Sequence, residues 1–281
     1  MKPVTQQIQA AINRIEKLSS APPILSRALA LMRDVDSDIT TIAELVRGDP
    51  ALTTDIIRIS NSAYFRSGVE VSSVEHALQK IGLKEAMHLL TLAVSRIVTH
   101  QNLDNYCISA DDFWKESLFH GLFMERLARA TGAVDSTEAY TAGLLRFIGR
   151  LAINQAIQDI GGGLFWTGEV SLLRWELENI GFTQGEAGGI LLRRWKFPAE
   201  LVTACESQEN PSALTPPSWL ASALFFTATT LLRVVDQPFT PLLAPNLDTD
   251  FLHPNRLTAE GVQAVFADTC AAFEKTRANF S

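Results

Sequence analysis

Arg146 and Arg150 stand one helical turn apart in the stretch Glu138 to Ile157. Each is a permanently protonated fork of donors, shaped to grip a carboxylate or a phosphate. Leu144, Leu145, Phe147, Ile148, Leu151, Ile153 and Ile157 make the stretch apolar on most of its circumference. Only Glu138, Ala142, Arg146, Arg150 and Asn154, at four-residue steps, form a narrow polar line. The spacing predicts one central helix with arginines at the middle of that line. The chemistry within reach is anion binding, ion pairing with acidic neighbours such as Glu138 or Glu116, or plain solvation.

Glu116 and His120 are also one turn apart, and they are the one histidine and carboxylate pair of note. Two such groups can begin a metal site, but two rarely hold a catalytic metal. His76, His88, His100 and His253 have no partner at ligand spacing beyond Glu75 and Glu85, and read as exposed or satisfied core histidines. Cys107, Cys205 and Cys270 are isolated from one another, which fits a reduced, cytoplasmic chain. No nucleophile elbow is present. Gly161-Gly162-Gly163 follows no strand, so it reads as a turn rather than a phosphate loop, with Phe165 and Trp166 as anchors.

Elements must position these groups, and the composition allows a real core. With 47% hydrophobic and 20% charged residues over 281 positions, the chain is of the soluble globular class. A net charge of −7 without a basic run argues against a nucleic-acid partner. The N-terminus lacks the apolar region of a signal peptide. Pro211 to Leu232 carries no charge, yet Pro216-Pro217 would break a helix there, and the remainder is too short to span a membrane. It reads as a buried helix.

Start and stop signals are helical throughout. Residues 5–17 are amphipathic, and Pro22-Pro23 opens Ile24 to Met32. Thr41 and Glu44 have capping-box spacing before Gly48, and Asp49-Pro50 restarts the chain. Ser72 and Glu75 form a second box for a helix ending near Gly82, followed by Leu83 to Thr99. Asp111 or Asp112 caps Phe113 to Ala130, which Gly132 ends. Further helices are expected at about 168–180, 184–195 and 198–208, with a Thr183 and Glu186 box on the second. No alternating strand of useful length and no repeat is found. The expectation is an all-α bundle with a separate C-terminal helical extension, 211–281.

Six ordered segments resemble the HDOD family, the HD-related output domain: Gly48-Asp-Pro-Ala-Leu52, Arg58 to Phe65, Val74 to Leu83, Phe113 to Leu118, Ala142 to Leu151 and Glu186 to Pro198. The resemblance covers roughly residues 14–210; Ser20-Ala-Pro-Pro-Ile-Leu25 departs from the family's usual early motif. It implies an HD-like multi-helix bundle in two lobes, about 14–105 and 106–210. Asp49, Pro50, Asn61, Ser62, Gly82, Trp114, Gly143, Gly149, Trp195 and Pro198 would be its structural motif residues.

The family is similar to HD-type metal phosphohydrolases, whose histidines and aspartates hold divalent metal that activates water and neutralises phosphate charge. The resemblance puts the His-Asp pair at Arg146-Phe147, single histidines at Glu116 and Gln184, and a histidine pair at Cys205-Glu206. A guanidinium cannot ligate a metal and a phenyl ring has no donor atom. The implied function is therefore a non-catalytic output or regulatory module of bacterial signal transduction, with no cofactor. It would bind a protein partner or a small anionic ligand such as a nucleotide, with Arg146, Arg150, Glu116, His120 and Gln184 as the candidate pseudo-site. The alternatives are a metal-dependent phosphohydrolase using a non-standard site and an assembly or scaffold protein.

Overall fold

Chemistry at the helix ends sets most element boundaries. The computed structural model describes residues 3–14, 27, 39–47, 53, 56, 57, 60, 71, 73–82, 102–233 and 237–278. Helices α1 (Pro3–Arg14), α2 (Ile39–Arg47) and α3 (Val74–Ile81) come first. Thr41 lies inside α2 and does not cap it. The Ser73 hydroxyl accepts the His76 N–H at 3.2 Å, so the α3 cap sits one residue later than the predicted box. Gly82 ends α3 at φ +81°, a conformation that favours glycine.

The long helix α4 (Ala110–Thr131) is capped by Ser109, whose hydroxyl accepts the Asp112 N–H at 3.1 Å. Asp111 and Asp112, the expected caps, occupy its first turn instead, where their charge suits the positive end of the helix. Gly132 terminates it as expected.

The predicted single helix over 138–157 is two helices, α5 (Ser136–Leu145) and α6 (Ile148–Asp159), broken at Arg146-Phe147. Close packing explains the break. Gly143 puts α5 so near α4 that a Cβ would come within 2.5 Å of the His120 carbonyl oxygen. At Gly149 an added Cβ would collide with the Gln184 carbonyl oxygen. Two backbone contacts with different partners are met by a turn, not by one straight rod. The break separates Arg146 from Arg150, while Asn154 stays one turn beyond Arg150 on α6, where its Oδ1 accepts the Asn105 N–H at 3.0 Å.

Helix α7 (Leu172–Trp175) runs into a π turn at Glu176–Ile180, then α8 (Gln184–Arg194) opens with the expected Thr183 and Glu186 capping box. Next come α9 (Ala199–Glu206) and α10 (Trp219–Thr230), the latter buried as predicted. A short antiparallel pair, β1 (Leu231–Leu232) and β2 (Leu242–Leu243), with Leu231 opposite Leu243, was not legible as alternation. Helices α11 (Thr249–Leu252) and α12 (Ala259–Ala278) complete the chain.

The fold is all-α, an HD-like helical bundle. Helix α4 lies along α5 and under α12, while α6 packs on α1 and α8, and α8 on α9. Leu151, Ile153, Leu191, Leu201 and Leu224 are buried at the centre. The Gly161–Gly163 segment is a turn with positive φ throughout. Trp166 is buried and anchors it, but Phe165 is 54% exposed and does not. Among the described residues no helix is long and apolar enough to cross a membrane. His76 and His253 are exposed. Asp49, Pro50, Asn61, Ser62, His88 and His100, with the helices expected at Ile24 to Met32 and Leu83 to Thr99, lie outside the described residues.

Candidate functional site

Glycine contacts bring the candidate residues together. Gly143 seats α5 against His120, Gly149 seats α6 against Gln184, and Gly185 seats α8 against the Cys205 carbonyl and Glu209 at the end of α9. Of the positions that the resemblance assigns to metal ligands, Gln184 and Cys205 are thereby brought to the α5–α6 break at Arg146-Phe147, and Glu116 meets it through Arg150.

At that break Arg146 is 4% exposed. Its Nη1 donates to Thr227 Oγ1 at 2.6 Å and meets His120 Nδ1 at 3.0 Å. Burial and the neighbouring Arg150 bring its pKa down to about 10, so it stays charged at neutral pH. Burial, followed by Arg146 and Arg150, pushes His120 well below the ordinary histidine value. A neutral ring follows, with Nδ1 as the acceptor for Arg146.

Arg150 is also buried, with its guanidinium carbon 4.0 Å from the centre of the Phe147 ring. Its Nη1 lies 3.7 Å from Glu116 Oε1, while Arg233 Nη1 donates to Glu116 Oε2 at 2.6 Å. Phe147 thus forms a plate beneath the cations, with Arg146 at 4.7 Å and the His120 ring edge-on at 5.0 Å. The arginines are buried rather than solvated; Glu116 is the close acidic partner of Arg150, and Glu209 is the acid that acts most strongly on Arg146. Arg146 Nε and Arg150 Nε are buried without a hydrogen-bond partner among the described residues.

Further groups enter that were not singled out in the sequence. Gln208 Nε2 donates to the Arg146 carbonyl at 2.9 Å and to the Cys205 carbonyl at 2.8 Å, holding the break against α9. Gln184 Nε2 donates to Glu209 Oε1 at 3.0 Å. Glu176, in the π turn, accepts from the Gln184 N–H at 2.8 Å and from the Tyr106 hydroxyl at 3.1 Å. Burial pushes its carboxyl up to about 7 against the pull of Arg150, and burial likewise raises Glu209 against Arg146. Gln208 and Glu209 follow Cys205-Glu206 with one residue between, so the resemblance itself pointed near them. Thr227 and Arg233 gave no such signal. Among the remaining motif residues, Trp114 is buried beside the site helix, Trp195 packs on Phe197, and Pro198 precedes α9.

The residues present do not fit the metal of HD phosphohydrolases. Glu116 is engaged by two arginines, and His120 directs its acceptor at a third cation, Arg146. Burial pushes the Cys205 thiol up to about 12, so it is not a thiolate ligand. Glu206 turns to Arg193. Three guanidinium groups, Arg146, Arg150 and Arg233, and three carboxyl groups, Glu116, Glu176 and Glu209, share the site instead.

Comparison with known proteins gives this arrangement a setting. Residues 18–211 match the HDOD domain family. An uncharacterized protein of Treponema pallidum (strain Nichols) is 24% identical over 219 residues, 73% of this chain, and the match spans only 41% of that relative's length. A crystal structure from Marinobacter aquaeolei VT8, named as a candidate signal transduction protein, superposes with a TM-score of 0.73 at 20% identity, covering 98% of this chain and 64% of that one. One from Shewanella amazonensis SB2B, named as a candidate phosphohydrolase, gives 0.60 at 23% identity over 79% of each chain. At these identities the structural likeness speaks for the shared helical fold. The family match takes in every glycine contact that assembles the site, and the chain belongs to the HDOD family.

Proposed function

We propose that the chain is a non-catalytic regulatory module of signal transduction that acts by binding a protein partner, its metal centre replaced by a guanidinium pair. The observation that carries this reading is Arg146. It stands where the resemblance puts the histidine of the His-Asp pair, is 4% exposed, and is bonded to His120 and Thr227, so a cation of the protein's own fills the place beside the histidine. The family's character as an output domain and the naming of the Marinobacter relative support the signalling role. The test is elemental analysis of untagged chain purified without chelator, joined to a phosphodiester hydrolysis assay. Folded, metal-free and inactive protein is expected. Near-stoichiometric manganese, iron, zinc or nickel would overturn the reading and favour a phosphohydrolase working through a non-standard site.

A second reading, a small-anion site, is favoured by the two buried Nε donors of Arg146 and Arg150. A phosphate or nucleotide would satisfy them. Glu116, Glu176 and Glu209 face the same arginines and oppose an added negative charge. Titration calorimetry with inorganic phosphate and a nucleotide decides between them, with Arg146→Ala as the control: heat that vanishes in the variant favours the anion site.

A further inference from the structure

We infer that the outer flank of the α4–α5 pair is a docking face for an amphipathic partner helix, held closed by the chain's own α12. This inference rests on the binding-module reading and adds to it the place and chemistry of docking. Trp114, Leu118, Phe119, Leu122, Tyr140 and Leu144 form an apolar cluster separate from the main core, and Phe273 of α12 closes it.

The way α12 sits there defines what the face accepts. Phe266 and Phe273, two turns apart on one side of the helix, present their rings edge-on to Phe119 with centroids at 5.7 and 5.5 Å. Between them Asp268 accepts from Arg126 Nε at 2.6 Å. Aromatic anchors seven residues apart with an acid between them, set against an apolar face edged by Arg126, are the chemistry of a helix laid in a groove. A competing partner helix carries the same pattern.

The closure is light. Of the 20 residues of α12 only Val262, Thr269 and Phe273 are buried. The helix also lies beyond residue 211, where the family match ends. Cover and site are joined through the segment before it: Arg233 holds Glu116, and the Phe239 N–H donates to Asp112 at 2.7 Å while its ring packs on Phe273 at 6.1 Å. Displacing α12 therefore strips the Phe273 ring from Phe239, whose N–H is held by Asp112 on α4.

The test uses a fluorescein-labelled peptide with the sequence of residues 259–278, titrated into three full-length proteins: the unaltered chain, a Phe266→Ala, Phe273→Ala double variant, and Asp268→Arg. The double variant is expected to bind the peptide at least roughly tenfold more tightly than the unaltered chain, whose face is filled, and Asp268→Arg about threefold more tightly, with amide protection in α6 and α8 unchanged. Asp268 is largely exposed, so Asp268→Arg reverses the tie to Arg126 and leaves the core intact if the double variant fails to fold. Equal binding to all three proteins, or no gain in Asp268→Arg, overturns the inference. Metal analysis of the same preparations separates the two ideas, since bound metal together with a peptide gain sinks the functional reading alone.

Discussion

Two flanks of α4 are built by different means. Toward α5, α6 and α9 the helix meets a buried set of charges tied by directional bonds such as Arg146 to His120 and Arg150 to Glu116, assembled by backbone contacts that only glycine permits. Toward α12 it meets phenylalanine rings and one ion pair at the surface. Directional bonds among desolvated groups allow one arrangement, whereas ring contacts tolerate displacement and repacking. The first flank is suited to fixing a structure and the second to exchanging one occupant for another.

The largest expected effect comes from Gly149→Ala. The new methyl group meets the Gln184 backbone oxygen, which cannot swing aside as a side chain would, so α6 and α8 must separate. A loss of about 4 kcal/mol or more in denaturant unfolding is expected; a loss near that of an ordinary surface substitution would show that this flank is as tolerant as the other.

A middle effect is expected from Glu176 and is read against pH. Its folded-state pKa, raised from 4.5 to about 7, exceeds the unfolded value, so the native form holds that proton more tightly. The contribution is fully present below pH 4.5 and disappears as pH rises through 7. Glu176→Gln should flatten the pH dependence of the melting free energy in that window by up to roughly 3 kcal/mol. His120 acts in the opposite sense, because it is neutral in the fold, and lowering the pH below 6.5 removes stability at that site. An unchanged profile in Glu176→Gln would mean that the carboxyl is ionised in the fold.

The smallest effect belongs to the outer flank. Asp268→Ala removes an ion pair whose acidic partner is 70% exposed, and about 0.5 kcal/mol or less of global stability should be lost. A loss of several kcal/mol would erase the distinction between the flanks.

Much of this architecture was legible in the residues. The Thr183 and Glu186 box, Gly82 and Gly132 as helix ends, and α10 as a buried uncharged helix all follow from local chemistry. Local signals also misled. Thr41 and Ser72 had plausible cap spacing but were not the caps, because a hydroxyl caps only where the chain enters the helix. The four-residue line from Glu138 to Asn154 was read as continuous, since side-chain periodicity cannot register a turn imposed by Gln184 from another helix.

The sequence by itself determined the helical class and the family pattern, and it set Arg146, Phe147, Gln184 and Cys205 at the positions that the resemblance assigns to metal ligands, because these are properties of residue identity and near spacing. Tertiary structure alone decided what Arg146 and Arg150 do. Thr227 and Arg233 lie far along the chain from the residues they hold, and Glu176 and Tyr106 meet across a similar gap. A guanidinium reads as solvated, structural or ligand-binding according to what desolvates it and which donors and acceptors reach it, and those groups are brought together only by packing.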